Sequence, residues 1–250
     1  MEKDINKYWS DYKDIYSFEE ILKIYRERKA IESINITCPK KILEIGCGFT
    51  PLFNKYQNFD EYTIIEPGEE AFEFVKKNNL DNKKIKFIND FFENCYEKLN
   101  KQNYDYIIST GVLHETNTPE IFLKTIKKLS NKNTEVYLNV PNALSMHRVI
   151  AKEMGLIESI YQQTERNILL KQNMIFDRES LTNLIKNVIP RVNILDCNSF
   201  FLKPFTHSQM MDCIHNKVLN ENIFDGMYKA SEYYPDSGCE LYCRFNNITA

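Results

Sequence analysis

Residues 43–48 read Leu43-Glu44-Ile45-Gly46-Cys47-Gly48, the end of a mostly apolar stretch that runs into two glycines. The segment 41–45 has the length and apolar character of a buried β-strand. Glycines directly after it let the chain turn sharply and bring its backbone N–H groups close to a ligand. A strand followed by such a turn is typical of α/β proteins that bind ligands at the edge of the sheet.

Six further segments have strand character, and helical stretches separate them. The predicted strands are 41–45, 61–65, 85–88, 104–108, 135–139, 192–201 and 240–245, with helices that include 71–78, 119–129 and 208–219. Strands that alternate with helices indicate right-handed crossovers and a mostly parallel sheet. We therefore predict an α/β fold with a Rossmann-like, doubly wound, mostly parallel sheet of seven strands and helical caps.

Two regions depart from this alternation and predict the caps. Residues 1–37 read as helical, with a capping box at 17–20. Upstream of the box lies an aromatic cluster: Tyr8, Trp9, Tyr12 and Tyr16. Residues from about 142 to 175 contain two helical pieces where a compact α/β unit needs only a short loop, before a helix capped by Asp177. We expect an N-terminal cap at 1–37 and a main domain at 38–250 that contains the second cap.

Composition excludes several classes of protein. The chain of 250 residues is 43% hydrophobic and 27% charged, which suits a packed core and not a disordered chain. No apolar run approaches the roughly 18 residues of a membrane span, and the charged N-terminus does not resemble a secretory signal. A formal charge of -3 argues against a nucleic-acid partner. Seven scattered cysteines favour a reducing cytoplasm over a disulfide framework, and no metal site is expected.

Polar residues and glycines follow the predicted strands, where ligands of open α/β sheets bind. Glu66 ends the second strand, 18 residues after Gly48, and an acid there commonly accepts hydrogen bonds from both hydroxyls of a ribose. Asp90 ends the third strand and can accept from an adenine amino group. Residues 109–111 end the fourth, close to the reactive part of a bound nucleoside. Pro51 replaces the third glycine of dinucleotide sites, which favours a nucleoside without phosphates.

As a set, these segments resemble the class I S-adenosylmethionine-dependent methyltransferases. Residues 43–48 look like motif I of that family. The Glu66 strand end, the pair Asp90-Phe91 and residues 109–115 look like its later motifs, within about 40–140. The resemblance implies that the main domain is a methyltransferase domain and that S-adenosylmethionine is its cofactor.

The same resemblance implies roles for individual residues. Those implied to bind the cofactor are, for the amino-acid part, Glu44, Gly46, Cys47 and Gly48; for the ribose, Glu66 and Pro67; for the adenine, Asp90 and Phe91; and beside the sulfonium, Thr110 and Gly111.

A second, narrower resemblance rests on residues 140–157 and 201–210. They look like a bacterial subgroup of small-molecule methyltransferases associated with surface-polysaccharide or natural-product sugars. The resemblance implies methyl transfer to a hydroxyl of a small sugar-like acceptor, with a nucleotide-linked sugar for capsule or other surface polysaccharide as one form. Arg148 and Lys203 can pair with phosphates of such an acceptor, and His207 is expected to contact it.

A hydroxyl is a poor nucleophile until its proton has somewhere to go, and a positioned base contributes about 10²–10⁴-fold to the rate. Of four histidines, we expect His147 in the second cap to be the general base, with His114 after the fourth strand as the next candidate. Glu115 is an acidic alternative. Structural roles stay open for both, with His114 ordering its loop and His147 stabilising its cap helix.

Other functions stay open at this point. A small-molecule N-methyltransferase needs less help from a base, because a neutral amine is already nucleophilic. A non-catalytic regulator would bind S-adenosylmethionine without turnover, and an RNA methyltransferase would show salt-sensitive RNA binding. The expected partner is a small-molecule acceptor, with no nucleic acid and no membrane, and the expected location is the cytoplasm.

Overall fold

The computed structural model describes residues 18–164, 167–168 and 172–247. Ser17, on which the expected capping box depends, and the aromatic cluster upstream of it lie outside the described residues. Within these ranges, no helix has the length and apolar character needed to cross a membrane.

Seven strands form one sheet. They are β1 (Lys41–Ile45), β2 (Glu61–Ile65), β3 (Ile85–Ile88), β4 (Tyr106–Thr110), β5 (Glu135–Pro141), β6 (Val192–Phe200) and β7 (Glu240–Asn247). Their order across the sheet is β3-β2-β1-β4-β5-β7-β6. The first five pair in parallel, whereas β7 is antiparallel to both β5 and β6. The predicted Rossmann-like, mostly parallel sheet of seven strands is therefore confirmed.

Helices cover both faces of the sheet. The described ones are α1 (Phe18–Thr37), α2 (Glu69–Lys77), α3 (Tyr96–Leu99), α4 (Pro119–Leu129), α5 (Met146–Glu153), α6 (Arg178–Val188), α7 (His207–His215) and α8 (Glu221–Ala230). On one face, Leu22 of α1 belongs to the same apolar core as Tyr106 of β4. On the other face, Leu123 of α4 and Leu181 of α6 belong to a core with Leu43 of β1. The N-terminal helix is thus part of the main hydrophobic packing.

Three sequence-based predictions of elements need correction. The strand predicted at 104–108 runs instead from Tyr106 to Thr110. The helix predicted at 208–219 ends at His215, and Lys217 has a left-handed φ of 58° that a helix cannot continue through. Helix α8 was missed altogether.

The topology brings the carboxyl ends of β1, β2 and β4 together. β1 pairs with both β2 and β4, so the residues after all three strands meet at one edge. Because β7 runs antiparallel to β5, its first residue, Glu240, is paired with Pro141 at the end of β5 and reaches the same edge.

The predicted cap of α6 is confirmed. Asp177 accepts a hydrogen bond from the Ser180 N–H.

Candidate functional site

A cavity of about 1060 Å³ lies at this edge of the sheet. Small-molecule sites usually measure roughly 300–1,000 Å³, so this one has room for two ligands side by side. The sequence-predicted residues that line it are Glu44, Gly46, Cys47, Gly48, Glu66, Pro67, Thr110, Gly111, His114, His147, Arg148, Lys203 and His207. The topology therefore brings nearly all of the predicted site residues into one space.

The loop after β1 depends on glycine. Gly46 has a φ of +74°, and a Cβ atom there would lie 2.4 Å from Cγ2 of Val112. Any side chain would thus strain the backbone and collide with the segment after β4. Gly48 and Gly111 also have positive φ angles, of 55° and 72°. Glycine at these places keeps the backbone close to the cavity.

Glu66 is a buried carboxylate at the end of β2, with only 3% of its surface exposed. Its two oxygens accept hydrogen bonds from the backbone N–H of Gly48 at 2.9 Å and of Gly68 at 2.8 Å. Burial raises the pKa of Glu66 to about 7, because desolvation outweighs these hydrogen bonds. A carboxylate oxygen has two lone pairs, so each oxygen can accept one more donor. Glu66 therefore suits a ligand with two neighbouring hydroxyls.

Glu44, in β1, holds the loop through its carboxylate. It accepts a hydrogen bond from the Tyr62 hydroxyl at 2.7 Å and from the Leu52 N–H at 3.1 Å. Burial raises the pKa of Glu44 to about 8. These contacts tie the segment 46–52 to the sheet, so the carboxylate positions the glycine loop.

Asp90 and Phe91 are the two predicted cofactor residues that do not line the cavity. The Asp90 carboxylate accepts hydrogen bonds from Lys98 Nζ at 2.6 Å and from Asn94 Nδ2 at 3.2 Å. The hydrogen bond from Lys98 lowers the pKa of Asp90. Its acceptor capacity is thus directed toward its own turn, and the expectation that it faces an adenine finds no support in the lining.

Three histidines line the cavity from different elements. His114, in a 3-10 turn after β4, is 3% exposed, and its Nε2 lies 3.8 Å from Oε1 of Glu115. His147 is half-buried near the start of α5, and its backbone N–H donates to the Lys203 carbonyl at 3.1 Å. His207 begins α7, with its ring 5.7 Å from that of Phe18. Both candidates for the base thus face the same cavity.

The two predicted phosphate-binding cations differ in their surroundings. The Arg148 guanidinium donates to the carbonyl oxygens of Ile160 at 2.9 Å and of Gln162 at 2.5 Å. Burial lowers the pKa of Arg148. Lys203 is only 2% exposed and lines the cavity. Arg148 therefore braces the segment after α5, whereas Lys203 places a cation in the cavity wall.

Sequence reasoning missed a charged cluster in the cavity wall. Glu19 and Arg26 of α1 form an ion pair, and Arg26 Nε lies 3.6 Å from Oε1 of Glu240. All three residues line the cavity. The sequence did carry a signal for two of them, because Glu19 and Arg26 are seven residues apart, which places them on the same helix face as the buried Leu22.

The sequence profile of the family described as "Methyltransferase domain" matches residues 22–188, more than half of the chain. A search of curated proteins found no match.

Among solved structures, the chain is similar to the plantazolicin methyltransferase BamL, in complex with a triazolic desmethylPZN analog and SAH. The identity is 18% and the TM-score 0.56, over 92% of this chain and 91% of that one. An S-adenosylmethionine dependent methyltransferase from Mesorhizobium loti is 10% identical with a TM-score of 0.57, over 86% and 95%. The N-methyltransferase NodS from Bradyrhizobium japonicum is 11% identical with a TM-score of 0.56, over 93% and 100%. These three structures share the fold of this chain.

Proposed function

This chain belongs to the class I S-adenosylmethionine-dependent methyltransferases, and from that premise we propose that it methylates a hydroxyl of a small, sugar-like acceptor in the cytoplasm, with a histidine as general base. The cofactor is S-adenosylmethionine. One observation carries the proposal for the acceptor: His147 and His114 line the same cavity as Gly46 and Glu66.

The residues at the ends of β1, β2 and β4 fit this cofactor. Glu66 is buried, and each of its oxygens keeps one lone pair for a ribose hydroxyl. The loop at Gly46 would let the backbone approach the amino-acid part, and Thr110 and Gly111, which line the cavity, would lie beside the sulfonium. The bound cofactor supplies a methyl group that its sulfonium already activates. The cavity walls then orient the acceptor and exclude water, which is the main catalytic task left to the protein.

A histidine takes up the proton that the acceptor hydroxyl loses. His147 is the first candidate, because α5 carries it into the cavity wall and its backbone is tied to the Lys203 carbonyl. His114, buried directly after β4, is the second. Lys203 pairs with the phosphate of a nucleotide-linked acceptor, and His207 contacts the acceptor from α7.

The test measures formation of S-adenosylhomocysteine with free sugars, nucleotide-linked sugars and small amines as acceptors. We expect turnover with a hydroxyl acceptor, and we expect His147→Gln to lower kcat by about 10²–10⁴-fold while the affinity for S-adenosylhomocysteine is kept. His215→Gln is the matched control, since His215 is exposed on α7 and absent from the cavity lining. If His147→Gln and His114→Gln each keep the turnover of the unaltered protein, that result contradicts a histidine base.

A small-molecule N-methyltransferase is the second candidate function. The observation that favours it is the presence of the carboxylates of Glu19 and Glu240 in the cavity wall, where they can accept hydrogen bonds from an amine whose neutral form is the nucleophile. In that case amines are the acceptors that turn over, and the histidine variants leave kcat unchanged.

A further inference from the structure

A charged cluster joins the N-terminal helix to the last strand of the sheet. It consists of Glu19, Arg26, Glu240 and Asn139, and we call it the α1–β7 cluster. Its members are largely buried: Glu240 is 5% exposed, and the Arg26 side chain is 16% exposed. The base and the glycine loop do not require these side chains, so the fold holds a costly set of charges that the proposed reaction leaves unexplained.

The two contacts of Glu240 are unequal. Its Oε2 accepts a hydrogen bond from Asn139 Nδ2 at 3.1 Å. Its Oε1 lies 3.6 Å from Arg26 Nε, which is an ion pair beyond hydrogen-bond distance. Because Asn139 holds one oxygen independently, Arg26 can move away without leaving the Glu240 carboxylate wholly unpartnered.

Arg26 also lies against the end of β4. Its Nη1 is 3.4 Å from the point where a Cβ atom on Gly111 would stand. Gly111 follows β4, which pairs with β1, so the guanidinium lies at the end of the sheet that carries the glycine loop. The proposed function places the amino-acid part of the cofactor there. That part ends in a carboxylate, and a planar guanidinium binds a carboxylate through two parallel hydrogen bonds.

We propose that Arg26 binds the carboxylate of the cofactor's amino-acid part and that its two ion-pair partners, Glu19 and Glu240, compete with this carboxylate for it. The inference rests on the proposed function, since it needs the cofactor in this cavity. When Arg26 turns to the cofactor, Oε1 of Glu240 becomes available to a hydroxyl or amine of the acceptor. The two ligands are thereby coupled through one side chain, and each strengthens binding of the other.

The test compares two probes by titration calorimetry. S-adenosylhomocysteine carries the amino-acid part, whereas methylthioadenosine has the adenosyl group and the thioether without it. We expect Arg26→Gln to weaken binding of S-adenosylhomocysteine by about 10–100-fold and to leave methylthioadenosine unchanged. We expect Glu240→Gln to strengthen binding of S-adenosylhomocysteine by about 2–10-fold, because Arg26 loses a competing partner.

The control and the double variant separate competition from a general charge effect. Glu32 lies on the same helix but not in the cavity lining, and its side chain is 44% exposed in an ion pair with Arg28. Glu32→Gln removes the same charge and should leave the affinity for S-adenosylhomocysteine unchanged. In the Arg26→Gln background, Glu240→Gln should have no effect, since the group for which it competes is gone.

Three results would overturn the inference. One is equal weakening of both probes by Arg26→Gln, and another is an unchanged affinity for S-adenosylhomocysteine in Glu240→Gln. The third is an effect of Glu240→Gln that persists without Arg26. If Arg26→Gln does not fold by circular dichroism, Arg26→Lys keeps the charge but lacks the paired hydrogen bonds, and it should weaken S-adenosylhomocysteine selectively. Failure of the unaltered protein to bind either probe would instead reject the proposed function.

Discussion

Gly46 and Gly155 have nearly the same backbone conformation but different surroundings. Their φ angles are +74° and +73°, yet a Cβ on Gly46 would lie 2.4 Å from Cγ2 of Val112, whereas a Cβ on Gly155 would meet nothing within 4 Å. We expect Gly155→Ala to lower the free energy of unfolding by about 1 kcal/mol, from backbone strain alone. Gly46→Ala should lower it by about 2–5 kcal/mol, because overpacking adds to the strain. Urea unfolding measures both.

The excess at Gly46 can be assigned to one contact. Val112→Ala removes Cγ2, the atom closest to the new methyl group, and leaves the backbone of both positions intact. In that background, the effect of Gly46→Ala should fall to that of Gly155→Ala. An effect that stays the same would mean that the loop resists alanine for a reason other than Val112.

Glu44 gives the protein a pH dependence of stability. Burial raises its pKa from 4.5 to about 8, so the folded protein keeps a proton that the unfolded chain loses. The folded state binds more protons between these two values, and the free energy of unfolding therefore falls as pH rises through this interval. Glu44→Gln has no proton to lose at this site. We expect the variant to become more stable than the unaltered protein at about pH 9, by an amount on the order of a few kcal/mol.

Urea unfolding at about pH 5 and pH 9 checks this prediction. Glu66, whose pKa burial raises to about 7, contributes a slope of the same sign and is present in both proteins. The quantity to compare is thus the difference between the two proteins at each pH. A constant difference would contradict a buried, protonated Glu44.

At the scale of elements, strands were easier to predict than the ends and packing of helices. Segments such as 61–65 are short and rich in aromatic and β-branched residues, which separates them from helices. Both ends of β4 were placed two residues too early, since the strand is Tyr106–Thr110. Helix α8 did carry local signals, since Asn220 caps it and Phe224 and Tyr228 are spaced four apart.

In the candidate site, too, residues at strand ends were easier to predict than residues on packed helices. Gly46, Glu66 and Thr110 could be assigned to one edge, because the carboxyl ends of parallel strands meet there. The spacing of Glu19 and Arg26 placed them on the buried face of α1, but their position in the cavity wall depends on how α1 packs across the sheet. Asp90 lies at the end of β3 as predicted and bonds Lys98 there, and its contact with an adenine stays a prediction.

The segment that follows α5 depends on Arg148. Its guanidinium donates to two carbonyl oxygens at Ile160 and Gln162. We expect Arg148→Gln to speed amide hydrogen exchange in residues 156–164 by about 10-fold or more, because the charged hydrogen bonds that close this segment are lost. Lys152→Gln is the control on the same helix, since Lys152 pairs only with the adjacent Glu153 among the described contacts. Unchanged exchange together with a raised KM for the acceptor would instead assign Arg148 to phosphate binding.

At the scale of the whole molecule, the cavity joins the two ends of the described chain. Its lining runs from Glu19 in the first helix to Glu240 in the last strand, so a ligand that fills it contacts elements more than 200 residues apart in sequence. Binding to the folded state alone stabilises the entire fold and not only the loops at the site.

We therefore expect S-adenosylhomocysteine at 100 times its Kd to raise the free energy of unfolding by about 2.7 kcal/mol. For a chain of this length, that corresponds to a rise in Tm of roughly 5–10 °C. Hydrogen exchange should show protection of α1 and of the start of β7 as well as of residues 46–52, because Arg26 carries the interaction across the cavity. Protection confined to residues 44–67, with exchange in α1 unchanged, would mean that the N-terminal helix packs on the domain without holding the cofactor.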